Sequence, residues 1–309
     1  MHPLTTTGYQ RLLELQRRIH DYTQDIAKKY GRADQDVNHP LWVSDYNYLA
    51  IAPMRSGLHV EYFGDVFSEP FIWTLECLSE QVVADTLSSL AFSGPDEGAN
   101  GTKEWEFTSL LDTAVTFPIL RSLSIRPTEL HEHNASMVQR AGKIMAEGGD
   151  IARFVAKAPN LSELVVPNAP DVNFFSHPLP NLHTLRIGGG FDTQSFIDNM
   201  AVSTNMPSLK SLDFTESTEL QFTWKDKRDK DAVTSVASYK KLFGSVALDS
   251  LHSLYLRNTC LTREQLETLQ AIRPRLQFNV VQAARGGYVK HFGKNIFPWR
   301  HLVQGDPGE

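Results

Sequence analysis

His131-Glu132-His133 places two imidazoles two residues apart. On a strand both would face the same way, an arrangement a metal ion could use. No third ligand is placed beside them, and the chain holds neither H-E-x-x-H nor a paired C-x-x-C. Polar loop content is the plainer reading of this triplet. Gly188-Gly189-Gly190 follows an expected strand and precedes an expected helix, a position where phosphate loops occur. It lacks the G-x-x-x-x-G-K-S/T and G-x-G-x-x-G spacings, which leaves a flexible turn. No G-x-S-x-G forms a hydrolase elbow. Cys77 and Cys260 fall among apolar residues, which favours inert packing over a reactive thiolate. No cofactor is expected.

Charge narrows the partners. Lys plus Arg number 30 and Asp plus Glu 36, so the net is −6 with His neutral, and the pI is near 6.0. Nucleic acid and anionic membranes select for basic surfaces, so this balance argues against both. Trp224 to Asp231 carries four bases against three acids and reads as a solvated segment. Gly286 to Glu309 interleaves Tyr288, Phe292, Phe297 and Trp299 with Lys290, Lys294 and Arg300. Such interleaving can bind single-stranded nucleic acid. In an acidic chain it reads better as a C-terminal cap. Two cysteines cannot make a disulfide framework and suit a reducing compartment. The N-terminus lacks an apolar signal region, and no run of 18 apolar residues exists. A soluble, cytoplasmic protein without a membrane partner is the expectation. A hydrophobic fraction of 41% excludes disorder over most of the length.

Any site must be carried by the elements around it, and an internal repeat organises them. The pattern L-x-x-L-x-L/I/V/F occurs six times. It reads Leu87, Leu90, Phe92; Leu120, Leu123, Ile125; and Leu161, Leu164, Val166. It continues at Leu182, Leu185, Ile187; Leu209, Leu212, Phe214; and Leu251, Leu254, Leu256. Leu276 to Val280 holds a degenerate seventh copy. Four copies follow an apolar-Pro-x preface, at Pro118, Pro159, Pro180 and Pro207. Proline cannot continue a helix, so it marks where a crossover ends and a strand begins. The last two apolar positions lie two apart, which on a strand puts them on one face. Stacked neighbours would bury that face as one core.

This pattern resembles the leucine-rich-repeat superfamily over about residues 83–281, and in look it is closest to irregular bacterial cytoplasmic members. The resemblance implies an α/β solenoid: a horseshoe with a parallel sheet on the concave face, helices on the convex face and capped ends. The copies start at 87, 120, 161, 182, 209 and 251, so the spacings are 33, 41, 21, 27 and 42. A period of about 20–29 is usual, so the long intervals must carry inserted helices or loops. The usual Asn or Cys at the ninth position is replaced by Pro95, Thr128, Ala169, Gly190, Ser217 and Thr259. Local substitutes or water must then satisfy the backbone at each bend.

Helices are expected at Gly8 to Lys29, at Asp192 to Asn205, at Thr234 to Phe243, and from Asp150, taken as an N-cap. Another is expected after Thr262, with Gln265 completing a capping box and Leu266, Leu269 and Ile272 as the buried stripe. Residues 1–80 read as a helical and irregular N-terminal cap, 81–281 as the array, and 282–309 as a C-terminal cap and tail.

The outward strand residues are the candidate partner-binding set. They include Arg121, Arg126, Glu163, His183, Arg186, Lys210, Asp213, His252, Tyr255 and Arg257. Arg and Tyr are enriched among interface hot spots. Since leucine-rich repeats commonly bind proteins on this face, the resemblance implies a non-catalytic module with a protein partner of unknown identity. One version is an inhibitor or immunity-type protein, whose acidic charge would speed capture of a basic toxic enzyme. The alternatives are an adaptor that self-assembles through its caps, and an enzyme using His131, His133 or His183.

Overall fold

The computed structural model describes residues 3–29, 47–94, 103–126, 135–139, 147–188, 192–216, 234–257, 259 and 261–281. All six repeat copies become strands in one sheet. They are β3 (Leu87–Ser93), β5 (Ser122–Ile125), β7 (Glu163–Val166), β8 (Thr184–Ile187), β9 (Ser211–Thr215) and β10 (Ser253–Arg257). The degenerate copy forms β11 (Gln277–Val281). These strands pair in parallel, in the order β3-β5-β7-β8-β9-β10-β11.

Register follows the repeat. Leu123, Leu164, Leu185, Leu212, Leu254 and Phe278 share one rung. All eighteen repeat positions are buried, none more than 6% exposed. A helical reading of the same spacing would not bury all three positions of every copy.

Two further strands extend the sheet inside the segment expected to be an irregular cap. β1 (Tyr48–Met54) and β2 (Gly57–Phe63) form a hairpin, and β2 runs parallel to β3. Leu58, Val60 and Tyr62 are fully buried, while His59 and Glu61 face the other way. Among the described residues the sheet therefore has nine strands and starts well before residue 81. At its edge, β1 offers little for another strand to join. Gln16 Nε2 donates to the Leu49 carbonyl at 2.6 Å, and Pro53 has no N–H to give. A separate parallel pair, β4 (Lys103–Trp105) and β6 (Ala135–Met137), lies in the longer intervals.

Helices cover the leucine-bearing face. They are α1 (Thr7–Lys29), α2 (Glu69–Leu78), α3 (Gln81–Ala84), α4 (Thr108–Leu111) and α5 (Asp150–Lys157), followed by α6 (Phe196–Val202), α7 (Val236–Phe243) and α8 (Arg263–Ile272). One hydrophobic cluster runs from Leu12 in α1 to Leu276 beside β11. Tyr62, Phe71, Phe92, Trp105 and Phe107 make an aromatic knot in it, with ring centroids from 4.9 to 6.5 Å apart.

Several local expectations change. The 192–205 helix is only Phe196–Val202, because Gln194 and Ser195 adopt φ of 51° and 54°. Asp192 Oδ1 accepts from Gln194 N and fixes that turn. Asp150 does not cap α5. The cap position is Gly149, and the Glu147 carboxylate accepts from Ile151 N at 2.9 Å instead. Ile272 is exposed rather than part of the α8 stripe, whereas Leu266 and Leu269 are buried. In α1, Thr23 takes a buried place and donates to the Asn47 carbonyl at 2.9 Å.

The missing asparagine ladder has local substitutes one position earlier. Asn168, the eighth residue of its copy, accepts from Met137 N at 2.6 Å and donates to Ser136 Oγ at 3.0 Å. Glu216 holds the same place in the copy that begins at Leu209. It accepts from Thr234 N at 2.7 Å and from the Tyr239 hydroxyl at 3.0 Å.

Candidate functional site

Burying the leucines on one face leaves the alternate residues of each strand on the other. Among the described residues, no element covers this open face. One rung across it reads Ser124, Val165, Arg186, Asp213, Tyr255 and Asn279. Arg257 stands two residues beyond Tyr255 on β10, level with Thr215.

Asp213 is the centre of the set. Arg257 holds it with both arms: Nε donates to Oδ1 at 2.6 Å and a terminal nitrogen to Oδ2 at 2.7 Å. This two-point geometry is the strong form of an Arg–carboxylate pair. Arg186 approaches the same carboxylate from the other side, with Nε 3.9 Å from Oδ2. Two guanidiniums thus stand around one carboxylate. Tyr255 lies beside Asp213 on the rung, half-buried. Strands β8, β9 and β10 thus bring together Arg186, Asp213, Tyr255 and Arg257, which sequence placed in one band.

The other candidates separate into two groups. Arg121, His183, Lys210 and His252 stand where their strands begin, joined strand to strand by backbone bonds. Lys210 N donates to the His183 carbonyl and His252 N to the Lys210 carbonyl, both at 2.9 Å. All four side chains are exposed. This leading row crosses β5, β7, β8, β9 and β10, with Ser162 standing in β7's place. Glu163 stands one rung in and accepts from Ser122 Oγ at 3.0 Å. Arg126 follows β5, far from the Asp213 group, and its amide bonds to the Phe92 carbonyl.

The hairpin adds residues to the same face. His59 Nδ1 lies 2.8 Å from Ser89 Oγ, and Ser93 Oγ donates to Glu61 Oε1 at 2.9 Å. The alternation Leu58-His59-Val60-Glu61-Tyr62 is the signal that could have found them. Ser88, an outward residue by its spacing, is buried and donates to the Leu58 carbonyl at 3.2 Å.

The other chemical candidates give less. His131 and His133 lie outside the described residues, as do Gly189, Gly190, Cys260, Trp224 to Asp231 and the C-terminal stretch from 282. Gly188 is packed: a Cβ there would sit 2.1 Å from the Pro167 carbonyl oxygen. The close approach of two strand ends explains this glycine without a phosphate. Burial pushes the Cys77 thiol up to about 12, with the Glu80 carboxylate adding to the shift. At neutral pH it is a thiol and a weak nucleophile. Among the described residues, no group of three His, Cys, Asp or Glu side chains could hold a metal ion.

A cavity of about 260 Å³ lies between α1 and α2. Three of its charged walls, Arg11, Glu14 and Glu80, are committed to one another. Arg11 pairs with Glu80 at 2.6 Å and Glu14 at 2.8 Å, and Arg18 stacks 3.6 Å above the Trp73 ring. Buried carboxylates elsewhere serve the fold. Burial raises Glu147, Asp150 and Glu216 above the ordinary carboxyl range, against the hydrogen bonds that each accepts. No helix among the described residues is long and apolar enough to cross a membrane.

No protein-family model matches the chain, and no curated protein does. A crystal structure of a Bacteroides fragilis protein, a structural-genomics target, is similar to it at 16% identity with a TM-score of 0.35. The match covers 70% of this chain and 62% of that one, so the chain spans less than two thirds of that protein's length.

Proposed function

We propose that the chain is a leucine-rich-repeat protein whose open sheet face is the concave side of a horseshoe, and that it is a non-catalytic protein-binding module acting in the cytoplasm. The repeat reading is supported by the burial of all eighteen pattern positions and their common register. The single observation that carries the functional reading is the group Arg186, Asp213, Tyr255 and Arg257. Three adjacent strands present it on a face with no described element over it. The paired Arg–carboxylate geometry fixes Arg257 and Asp213 before any partner arrives. That lowers the ordering cost of association.

The test is affinity capture from native lysate by wild type and by Arg186→Glu/Tyr255→Ala/Arg257→Glu, with mass spectrometry of what is retained. The expected result is a stoichiometric partner held by wild type and lost by the variant at unchanged melting temperature. A partner held equally by both would move binding away from this face and defeat the reading.

A further inference from the structure

The open face has the opposite charge to the chain that carries it. Among its described residues and the leading row stand five bases: Arg121, Arg126, Arg186, Lys210 and Arg257. Three acids oppose them: Glu61, Glu163 and Asp213. That balance is 5 − 3 = +2, in a chain whose total is −6. The surplus is not spread evenly. Arg186 and Arg257 share Asp213. In the leading row, Arg121, His183, Lys210 and His252 have no acid among them, and Lys210 forms no ion pair among the described residues. Arg121 spends one donor on the Asn160 carbonyl at 3.1 Å and stays exposed.

We propose that the open face takes an acidic, extended segment of a protein partner, whose carboxylates lie along the row Arg121, His183, Lys210 and His252. This rests on the reading of the open face as the binding surface and names the chemistry of what it binds. From β5 to β10 is four strand spacings of about 4.8 Å, roughly 19 Å in all. About six residues of extended chain cover that length. Four of the five strand starts offer an exposed basic group or imidazole, β7 offering Ser162, and alternate side chains of the segment, about 6.8 Å apart, reach them at a somewhat wider spacing than the strands. An attraction to a basic enzyme through acidic surface finds no support on this face, whose surplus charge is positive.

A polynucleotide fits less well. Its phosphates continue past the row, into the field of a chain with net charge −6. Glu163 and Asp213 interrupt the basic surface where a phosphate backbone would run. Stacking platforms for bases use several aromatics, and Tyr255 is the aromatic beside this charge.

The test uses the full chain and three dye-labelled probes of equal length: an eight-residue glutamate-rich peptide, its lysine-rich counterpart and an oligothymidylate. Fluorescence anisotropy follows binding at low and high salt. The expected result is binding of the acidic peptide alone, weakened by salt. Lys210→Glu/His183→Glu should weaken it roughly tenfold or more, since each exposed pair is worth up to several-fold and reversal adds repulsion. The neutral pair Lys210→Gln/His252→Gln supplies the same comparison if the first variant melts early. Preference for the lysine peptide or the oligonucleotide, or no binding by any probe, would overturn the charge assignment. The binding-surface reading would still stand if the captured partner is lost on Arg186→Glu/Tyr255→Ala/Arg257→Glu. It falls separately if that partner ignores the open face.

Discussion

Glu216 shows what one residue can be made to do by its surroundings. It is fully buried, and a backbone amide and hydroxyls hold it rather than a cation. Desolvation therefore dominates and lifts its pKa above the usual glutamate value of 4.5. The native state then holds this proton more tightly than the unfolded chain does. The stability from this group is fully present below the ordinary value and is lost as pH rises through the raised one. Glu216→Gln removes that dependence and keeps an acceptor for Thr234 N. The expected melting temperature at pH 7 equals or exceeds that of wild type, with a flatter profile of stability from pH 4.5 upward. Glu216→Ala leaves Thr234 N without its carboxylate acceptor and should cost about 1–3 kcal/mol in denaturant unfolding. A Glu216→Gln variant that melts like Glu216→Ala would mean that the carboxylate is needed as a charge. Asp213 is the contrasting case: two arginines stand around its carboxylate, on the open face of the sheet and not in the core.

At the scale of elements, the sequence spoke clearly wherever a rule spans a few residues. Thr262 and Gln265 form the reciprocal capping box read from their spacing, with bonds of 3.3 and 2.9 Å. Thr262→Ala should cost about 1 kcal/mol and leave the sheet intact, which chemical denaturation and circular dichroism would check. The leucine triplets were legible for the same reason, since each is set by its own strand. Elements that depend on distant partners were harder to see. Asp150 has the right residue type for a cap, yet Glu147, three positions earlier, folds back to bond Ile151 N and Asp171 N. Ile272 continues a spacing of three, which drifts about 60° per step on a helix of 3.6 residues per turn, and so leaves the core. The β1–β2 hairpin lacks the repeat consensus, although Leu58, Val60 and Tyr62 alternate as a strand should. Of the candidate site, sequence supplied the members. The pairing of Arg257 with Asp213 needed the register of β9 on β10, which no local pattern encodes.

For the whole molecule, one cluster of buried side chains joins the N-terminal helix to the last strand. Leu212 stands near the middle of the parallel strands, fully buried. Leu212→Asp places an unpaired charge there and should cost more than about 4 kcal/mol, enough to unfold a protein of ordinary stability. Leu212→Ala, which leaves a cavity without a charge, should cost about 2–5 kcal/mol and lower the melting temperature measurably. An unchanged melt for both would contradict the repeat as the source of the core. Hydrophobic burial on one face and a preformed charged group on the other divide the molecule into what holds it and what it offers. The central claim is that the offered face is the one a partner covers. Hydroxyl-radical footprinting of the chain, alone and with its captured partner, reads this directly. The expected result is protection of Tyr255, His183 and His252 in the complex, with Tyr9 and Trp73 on the helical side unchanged. Protection of Tyr9 and Trp73 with Tyr255 still fully reactive would contradict it.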